Sequence, residues 1–119
     1  MPKSPAITFT LDQLNEEAFV QVDDQRFQIM FDLQAIFLFY KTFGINPVFE
    51  SIGFNPTYLV ALLWVGLLRF HPDVDPELVK TWYTPKTATE LYLGTIGALR
   101  MSLPEPEEDA KEVSDPSLA

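Results

Sequence analysis

The chain has 119 residues, of which 47% are hydrophobic and 13% aromatic, and it carries a formal net charge of −9. This apolar content is enough for one folded domain with a single core, and it excludes a chain that is disordered throughout. The excess of acidic side chains repels phosphate backbones, so nucleic acid is not an expected partner. The absence of cysteine removes disulfides, thiolate catalysis and cysteine-based metal sites.

The first third of the chain predicts a small antiparallel β-sheet of two or three strands. Residues 6–11 alternate apolar and threonine side chains, which is the period-two pattern of a half-buried strand. Two further β-type runs, residues 19–22 and 27–31, flank a hairpin turn around Asp23 and Asp24. Because a hairpin alone is only marginally stable in water, we expect the sheet to pack against helices.

The next segment predicts a helix over residues 33–43. Asp32 supplies an N-cap oxygen, and Gly44 is suited to end the helix in the left-handed conformation. Apolar residues recur at the i, i+3, i+4, i+7 spacing of a helix face that packs on a core. The predicted core positions are Leu33, Ile36, Phe37, Tyr40 and Phe43.

Residues 58–70 predict the central helix, with Asn55 as N-cap and Pro56 at the first helical position. Arg69 is the only charged residue in this run, and its apolar residues point in nearly every direction around a helix. Such a helix is buried on all sides or lies in lipid. A membrane span needs about 20 apolar residues, which is longer than this run, so no membrane partner is expected. We interpret the segment as the innermost helix of a water-soluble domain.

Two more helices are predicted after the central one. A third begins after Asp75 as N-cap and runs to about residue 83, and the capping box Thr87-x-x-Glu90 indicates the start of a fourth. Glycine is unfavourable inside a helix, so Gly94 and Gly97 indicate that the helix backbone closely approaches a neighbour there. The predicted buried face of the fourth helix contains Tyr92, Ile96, Leu99 and Leu103.

From residue 104 onward the chain has six acidic residues and one lysine, with no aromatic residue and no apolar period. We expect this segment to be a disordered tail. The sequence therefore predicts an α+β fold, in which a small N-terminal antiparallel β-sheet of two or three strands is followed by a compact four-helix domain around a buried central helix. The domain spans residues 1–103, and the disordered acidic C-terminal tail spans residues 104–119.

No catalytic constellation is visible in the sequence. His71 is the only histidine, and we interpret it as a helix C-terminal residue whose charged form the helix dipole favours, rather than as a base or metal ligand. The acidic run at residues 73–77 lacks the glycine and the closing glutamate of an EF-hand loop. With no glycine-rich phosphate loop and no nucleophilic triad, we expect neither an enzyme nor a bound cofactor or metal.

The chain holds more aromatic residues than a core of this size obviously needs, with eleven between residues 27 and 70. One interpretation places all of them in the core. The alternative is that some contribute to an exposed apolar patch, which is the usual mark of a protein-binding surface. The candidates for that surface are Leu38, Phe39, Phe49 and Phe54.

Three short motifs follow one another along the chain. They are the FDLxA helix start at residues 31–35, the LLWxGL core at residues 62–67 and the DxDxE-type helix entry at residues 73–77. Together with the β-rich start and the acidic Pro/Glu tail, these motifs resemble the tail assembly chaperones of long-tailed bacteriophages and related gene transfer agents. The resemblance covers roughly residues 6–109.

The resemblance implies a non-enzymatic role in the cytoplasm of a bacterial host. Proteins of this family bind the long, helical, aggregation-prone tape measure protein and keep it soluble until tail tube subunits polymerise around it. They are absent from the mature virion. The expected partners are therefore the tape measure protein and the tail tube protein, with self-association left open. The alternative is a structural virion component, such as a tail-completion or connector subunit.

Overall fold

The computed structural model describes residues 4–102, which form a three-stranded antiparallel sheet followed by helices. The elements are β1 (Ile7–Asp12), β2 (Glu17–Val22), β3 (Gln25–Ile29), α1 (Leu33–Phe43), α2 (Pro56–Leu67), α3 (Pro76–Trp82) and α4 (Ala88–Ser102). The predicted α+β fold, with the sheet first and four helices after it, is confirmed over these residues. The predicted disordered tail, residues 104–119, lies outside the described residues.

The sheet has the strand order β1-β2-β3, and both neighbouring pairs are antiparallel. Its two faces differ because successive side chains of a strand point in opposite directions. The face that packs on the helices buries Ala18, Val20 and Ile29, whereas Thr8 and Thr10 are exposed on the other face. The sheet is therefore apolar on one side only, as the alternating pattern predicts.

Helix α2 is the innermost helix. Leu59, Leu62, Leu63 and Leu67 are each at most 2% exposed. The Asn55 side chain caps the helix by accepting two backbone N–H groups of its first turn, as predicted. Within residues 4–102, no helix is both long enough and apolar enough to cross a membrane.

The carboxyl end of α2 is joined to the end of β3. The Met30 N–H donates to the Gly66 carbonyl at 2.8 Å. A Cβ atom at Gly66 would lie 2.6 Å from Cζ of the buried Phe31 ring. Glycine at this position therefore allows the helix backbone to approach the sheet closely enough for the hydrogen bond.

Helix α4 lies directly beneath β1, with its two glycines at the contact. A Cβ atom at Gly94 would overlap the Phe9 ring, and one at Gly97 would lie 2.8 Å from Cδ1 of Leu11. The predicted close approach at both glycines is confirmed, and the neighbour is the side-chain layer of an edge strand.

Two expectations for α4 need correction. Leu99 is buried as predicted, but Tyr92 and Ile96 are only half-buried, and Leu103 lies outside the described residues. The predicted capping box is wrong in its hydrogen bonding, because the Thr87 hydroxyl donates to the backbone carbonyl at the end of α3 at 2.7 Å. Thr87 therefore ties α3 to α4, and α4 itself begins one residue later.

The predicted core face of α1 is only partly correct, since Ile36 and Phe43 pack on the core but the other three residues do not. Leu33, Phe37 and Tyr40 are 71%, 65% and 51% exposed, whereas Ala35 and Phe39 are buried. The helix is rotated because an aromatic contact with α2 determines its orientation. That contact joins Phe39, Phe43 and Tyr58, with ring centroids 5.0 to 6.4 Å apart.

Candidate functional site

Helices α1, α2 and α3 enclose an apolar groove of about 460 Å³, here called the α1–α2–α3 groove. Among residues 4–102, Lys80 is the only charged residue that lines it. Concave, mostly apolar sites of this size bury a ligand or an inserted side chain. The principal lining residues are Phe39, Phe43, Val60, Ala61, Trp64 and Tyr83.

The wall formed by α2 consists of residues that remain half-buried although α2 is the innermost helix. Val60 and Ala61 are adjacent, and Trp64 lies about one helical turn further along the same side of α2. All three side chains are half-buried. Ala61 is the smallest of the three, and its side chain lines the groove between the larger side chains of Val60 and Trp64. These three residues depart from the expectation that α2 is covered on every side. They are the residues of α2 that a partner could contact in the groove.

Trp64 is held in a fixed orientation at the groove. Its indole Nε1–H donates to the backbone carbonyl of Val74 at 3.1 Å, across the loop between α2 and α3. A tryptophan with its polar atom paired presents the rest of its ring as apolar contact area. The groove therefore has a rigid aromatic wall, which reduces the entropy lost on binding.

The floor of the groove includes one of the sequence-predicted binding residues in an unexpected position. Phe39 is only 1% exposed, so the expectation that it lies on an exposed patch is wrong. Its ring packs on Phe43 at 5.0 Å between centroids, and it supports the groove from below. The neighbouring candidate, Leu38, is half-buried and packs at the edge of the core.

The other two candidates are exposed but lie elsewhere. Phe49 is 84% and Phe54 58% exposed, and both belong to the connection between α1 and α2. Phe54 stacks on Tyr92 of α4 with ring centroids 4.3 Å apart, and Phe49 lines a smaller cleft that Tyr92 also lines. The four predicted residues are therefore not brought together into one surface.

The exposed stripe on α1 was missed because it was assigned to the core. Leu33, Phe37 and Tyr40 follow the i, i+4, i+7 spacing of one helix face. Lys41 and Glu50 are the only charged residues between positions 33 and 68. The sequence does contain a signal for the observed orientation of α1. The polar residues Gln34 and Lys41 lie on one face of the helix, and the opposite face contains Phe39 and Phe43.

His71 has a structural contact rather than an open, reactive position. Its Nε2 atom accepts the backbone N–H of Gln28 at 2.9 Å, and its ring lies edge-on to Phe27 at 5.2 Å. The backbone N–H can only donate, so Nε2 of the ring is the acceptor in this contact. Within residues 4–102, no three His, Cys, Asp or Glu side chains are grouped closely enough to hold a metal ion.

Comparison with known proteins adds no relative. The chain matches no family model, no curated protein and no solved structure. The α1–α2–α3 groove and the exposed α1 stripe are thus interpreted from their own chemistry. Both are uncharged or nearly so, aromatic and located on helices, which is the composition of the central part of a protein–protein interface.

Proposed function

We propose that the chain is a tail assembly chaperone of a long-tailed phage, a prophage or a gene transfer agent. It binds the tape measure protein in the bacterial host cytoplasm, keeps that protein soluble and helps to recruit tail tube subunits. The observation that carries the proposal is the open, aromatic-lined α1–α2–α3 groove beside a helix face that exposes Leu33, Phe37 and Tyr40. The sequence motifs at residues 31–35, 62–67 and 73–77 support the same assignment.

The groove suits an amphipathic helix of a client protein. Such a helix inserts apolar side chains spaced three or four residues apart into a hydrophobic groove. The space above Ala61 receives one such side chain, and the fixed ring of Trp64 packs against its neighbour. A long helical client repeats this pattern many times, so several copies of the chaperone cover its apolar stripes.

The distribution of charge supports a solubilising role. The first 22 described residues, 4–25, contain five acidic and no basic side chains, whereas the acids and bases of residues 26–102 balance. The binding face is therefore nearly neutral, and the negative charge is carried by the sheet and the tail. A client coated with such molecules is kept apart from other coated clients by like-charge repulsion.

Co-expression tests the proposal directly. The proposal predicts that this gene lies immediately upstream of a very long, helix-rich open reading frame, and the soluble fraction of that product is measured with and without the chain. Ala61→Phe fills the groove and is expected to abolish the gain in solubility, whereas Ala6→Phe, at an exposed position outside the groove, retains it. A long protein that stays equally insoluble in all cases rules the proposal out.

Mass spectrometry of purified particles distinguishes the alternative. A chaperone is absent from the particle after tail assembly. A tail-completion or connector subunit is present at fixed stoichiometry, and that result replaces the chaperone proposal with the structural one.

A further inference from the structure

The two edge strands of the sheet, β1 and β3, differ in the hydrogen bonding of their outward backbone groups. At the β3 edge, the N–H groups of Gln28 and of Met30, which directly follows the strand, are paired with His71 Nε2 at 2.9 Å and with the Gly66 carbonyl at 2.8 Å, whereas the outward groups of Arg26 have no partner among residues 4–102. On β1, the register with β2 directs the N–H and C=O groups of alternate residues outward. These are the backbone groups of Ile7, Phe9 and Leu11, and no hydrogen bond joins them to any residue of 4–102.

β1 also lacks the features that usually protect an edge strand. It has six residues with no proline, no glycine and no lysine, and its only charge is Asp12 at the end. Natural sheets protect an edge of this length with charges, prolines, bulges or a covering helix. Helix α4 packs on one face of β1 through Gly94 and Gly97, and within residues 4–102 no backbone group of the helix bonds to the edge of the strand. The strand therefore presents a template for one more strand.

A second copy of the chain does not fit this template. Paired strands lie about 4.8 Å apart, and packed helices need about 8–10 Å. Because Gly94 sets α4 directly under Phe9, a symmetric β1–β1 pair would bring the two α4 helices within about 5 Å of each other. It would also place Glu16 and Glu17 of one copy against Asp23 and Asp24 of the other.

The chain's own C-terminal segment is equally unsuited. Residues 103–119 contain three prolines and six acidic residues. Proline removes the donor that a paired strand needs, and the acids would lie beside the carboxylates of the hairpin. The occupant must come from another protein, and it must be an extended segment without a helix packed beneath it.

The surroundings of the edge specify the chemistry of that segment. Carboxylates flank both ends of β1, with Asp12, Glu16 and Glu17 at one end and Asp23 and Asp24 at the other. The Asn15 side-chain amide and backbone N–H donate to the Asp12 carboxylate and lower its pKa, so this group stays ionised.

On the helix-facing side of β1, Leu11 and the nearby Leu93 of α4 are exposed, and α4 also exposes Glu90 and Arg100. Leu11 is 38% exposed and packs on Gly97, and Leu93, one helical turn earlier on α4, is 61% exposed. Above the edge, Thr8 and Thr10 are exposed and uncharged. An added strand therefore meets leucine on one face and threonine on the other.

We infer that the open edge of β1 binds an extended segment of a partner protein by strand addition, and that this segment alternates apolar and polar residues between flanking lysines or arginines. Main-chain hydrogen bonds to Ile7, Phe9 and Leu11 supply the affinity, and the carboxylates select basic flanks. The site is separate from the α1–α2–α3 groove, so its test does not depend on the chaperone proposal.

A synthetic peptide, Lys-Lys-Val-Thr-Val-Thr-Val-Lys-Lys, tests the inference against the full-length chain. Amide chemical shifts measured by NMR are expected to change at Ile7, Phe9 and Leu11 on titration. A peptide with glutamate in place of lysine, and one with proline in place of threonine, are expected not to bind. No binding of the lysine peptide, or shift changes confined to α1 and α2, overturns the inference.

A matched pair of variants isolates the backbone contribution. Leu11→Pro removes an outward N–H that the fold does not use, and Leu11→Ala removes the same side chain but keeps the N–H. Peptide affinity is expected to fall about tenfold or more in Leu11→Pro relative to Leu11→Ala. Equal affinities contradict strand addition. If Leu11→Pro does not fold, the shift mapping on the unaltered chain decides alone.

Discussion

The ring of His71 accepts a hydrogen bond from the backbone of Gln28, across 43 residues of sequence. The contact occupies the outer edge of β3 just beyond the end of α2, next to the bond between Met30 and Gly66. The only histidine of the chain therefore has a structural role, because it accepts an outward N–H group of β3. At the β1 edge, by contrast, none of the outward backbone groups of Ile7, Phe9 and Leu11 has a partner among residues 4–102.

Replacing His71 with leucine is expected to destabilise the domain by about 1–3 kcal/mol, because the half-buried Gln28 N–H loses its acceptor. The measurement is urea-induced unfolding followed by tryptophan fluorescence. Gln28→Ala is the control, since the donor is the backbone and remains in place. Equal losses of stability in the two variants would show that the hydrogen bond contributes little.

Alanine at Gly94 is expected to destabilise the domain by about 1–3 kcal/mol, although alanine normally favours a helix by about 1 kcal/mol over glycine. The added methyl group overlaps the Phe9 ring, which cannot move away without leaving β1. Gly97→Ala is the matched control. Its methyl group meets only the terminal Cδ1 of Leu11, so the strain is small and thermal unfolding should change little or move upward.

The N-caps of α1, α2 and α3 and the end of α1 could be predicted because they depend on neighbouring residues. The end of α2 could not, since the helix ends at Leu67 and not at the predicted residue 70. Asp32 Oδ1 accepts the Ala35 N–H at 2.9 Å, and Asp75 Oδ1 accepts the Glu77 N–H at 2.9 Å. Gly44 takes the left-handed conformation at φ 72°. Each of these is a short-range interaction whose chemistry is visible in a window of a few residues.

The orientation of α1 and the position of the candidate site could not be predicted in the same way. α1 has one apolar stripe at Leu33, Phe37 and Tyr40 and another at Phe39 and Phe43, so the apolar period alone does not determine which of them packs. Only the polar pair Gln34 and Lys41, opposite Phe39 and Phe43, indicates the choice. The choice is made by the contact of Phe39 and Phe43 with Tyr58, which is a tertiary interaction. The α1–α2–α3 groove depends on how three helices are spaced, and sequence spacing within one helix carries no information about that distance.

Thr95→Val is expected to stabilise the domain by about 1 kcal/mol. Thr95 is fully buried in α4, and its hydroxyl has no hydrogen-bond partner among residues 4–102. Valine has nearly the same shape and removes the unpaired polar atom. The same substitution at Thr87 should destabilise by about 1–3 kcal/mol, because that hydroxyl donates to the Trp82 carbonyl. Chemical denaturation of both variants measures the difference, and a loss of stability in Thr95→Val would contradict the prediction.

Truncation of a core leucine tests whether α2 is the element on which the fold depends. Leu63 is 2% exposed at the centre of α2, so Leu63→Ala leaves a cavity that its neighbours cannot fill. The expected cost is about 2–5 kcal/mol, which is a large fraction of the stability of a small domain. Leu93→Ala is the matched control, because Leu93 is 61% exposed on α4 and its loss should change stability by less than about 0.5 kcal/mol. Similar unfolding midpoints for the two variants would mean that the packing around α2 is not what stabilises the domain.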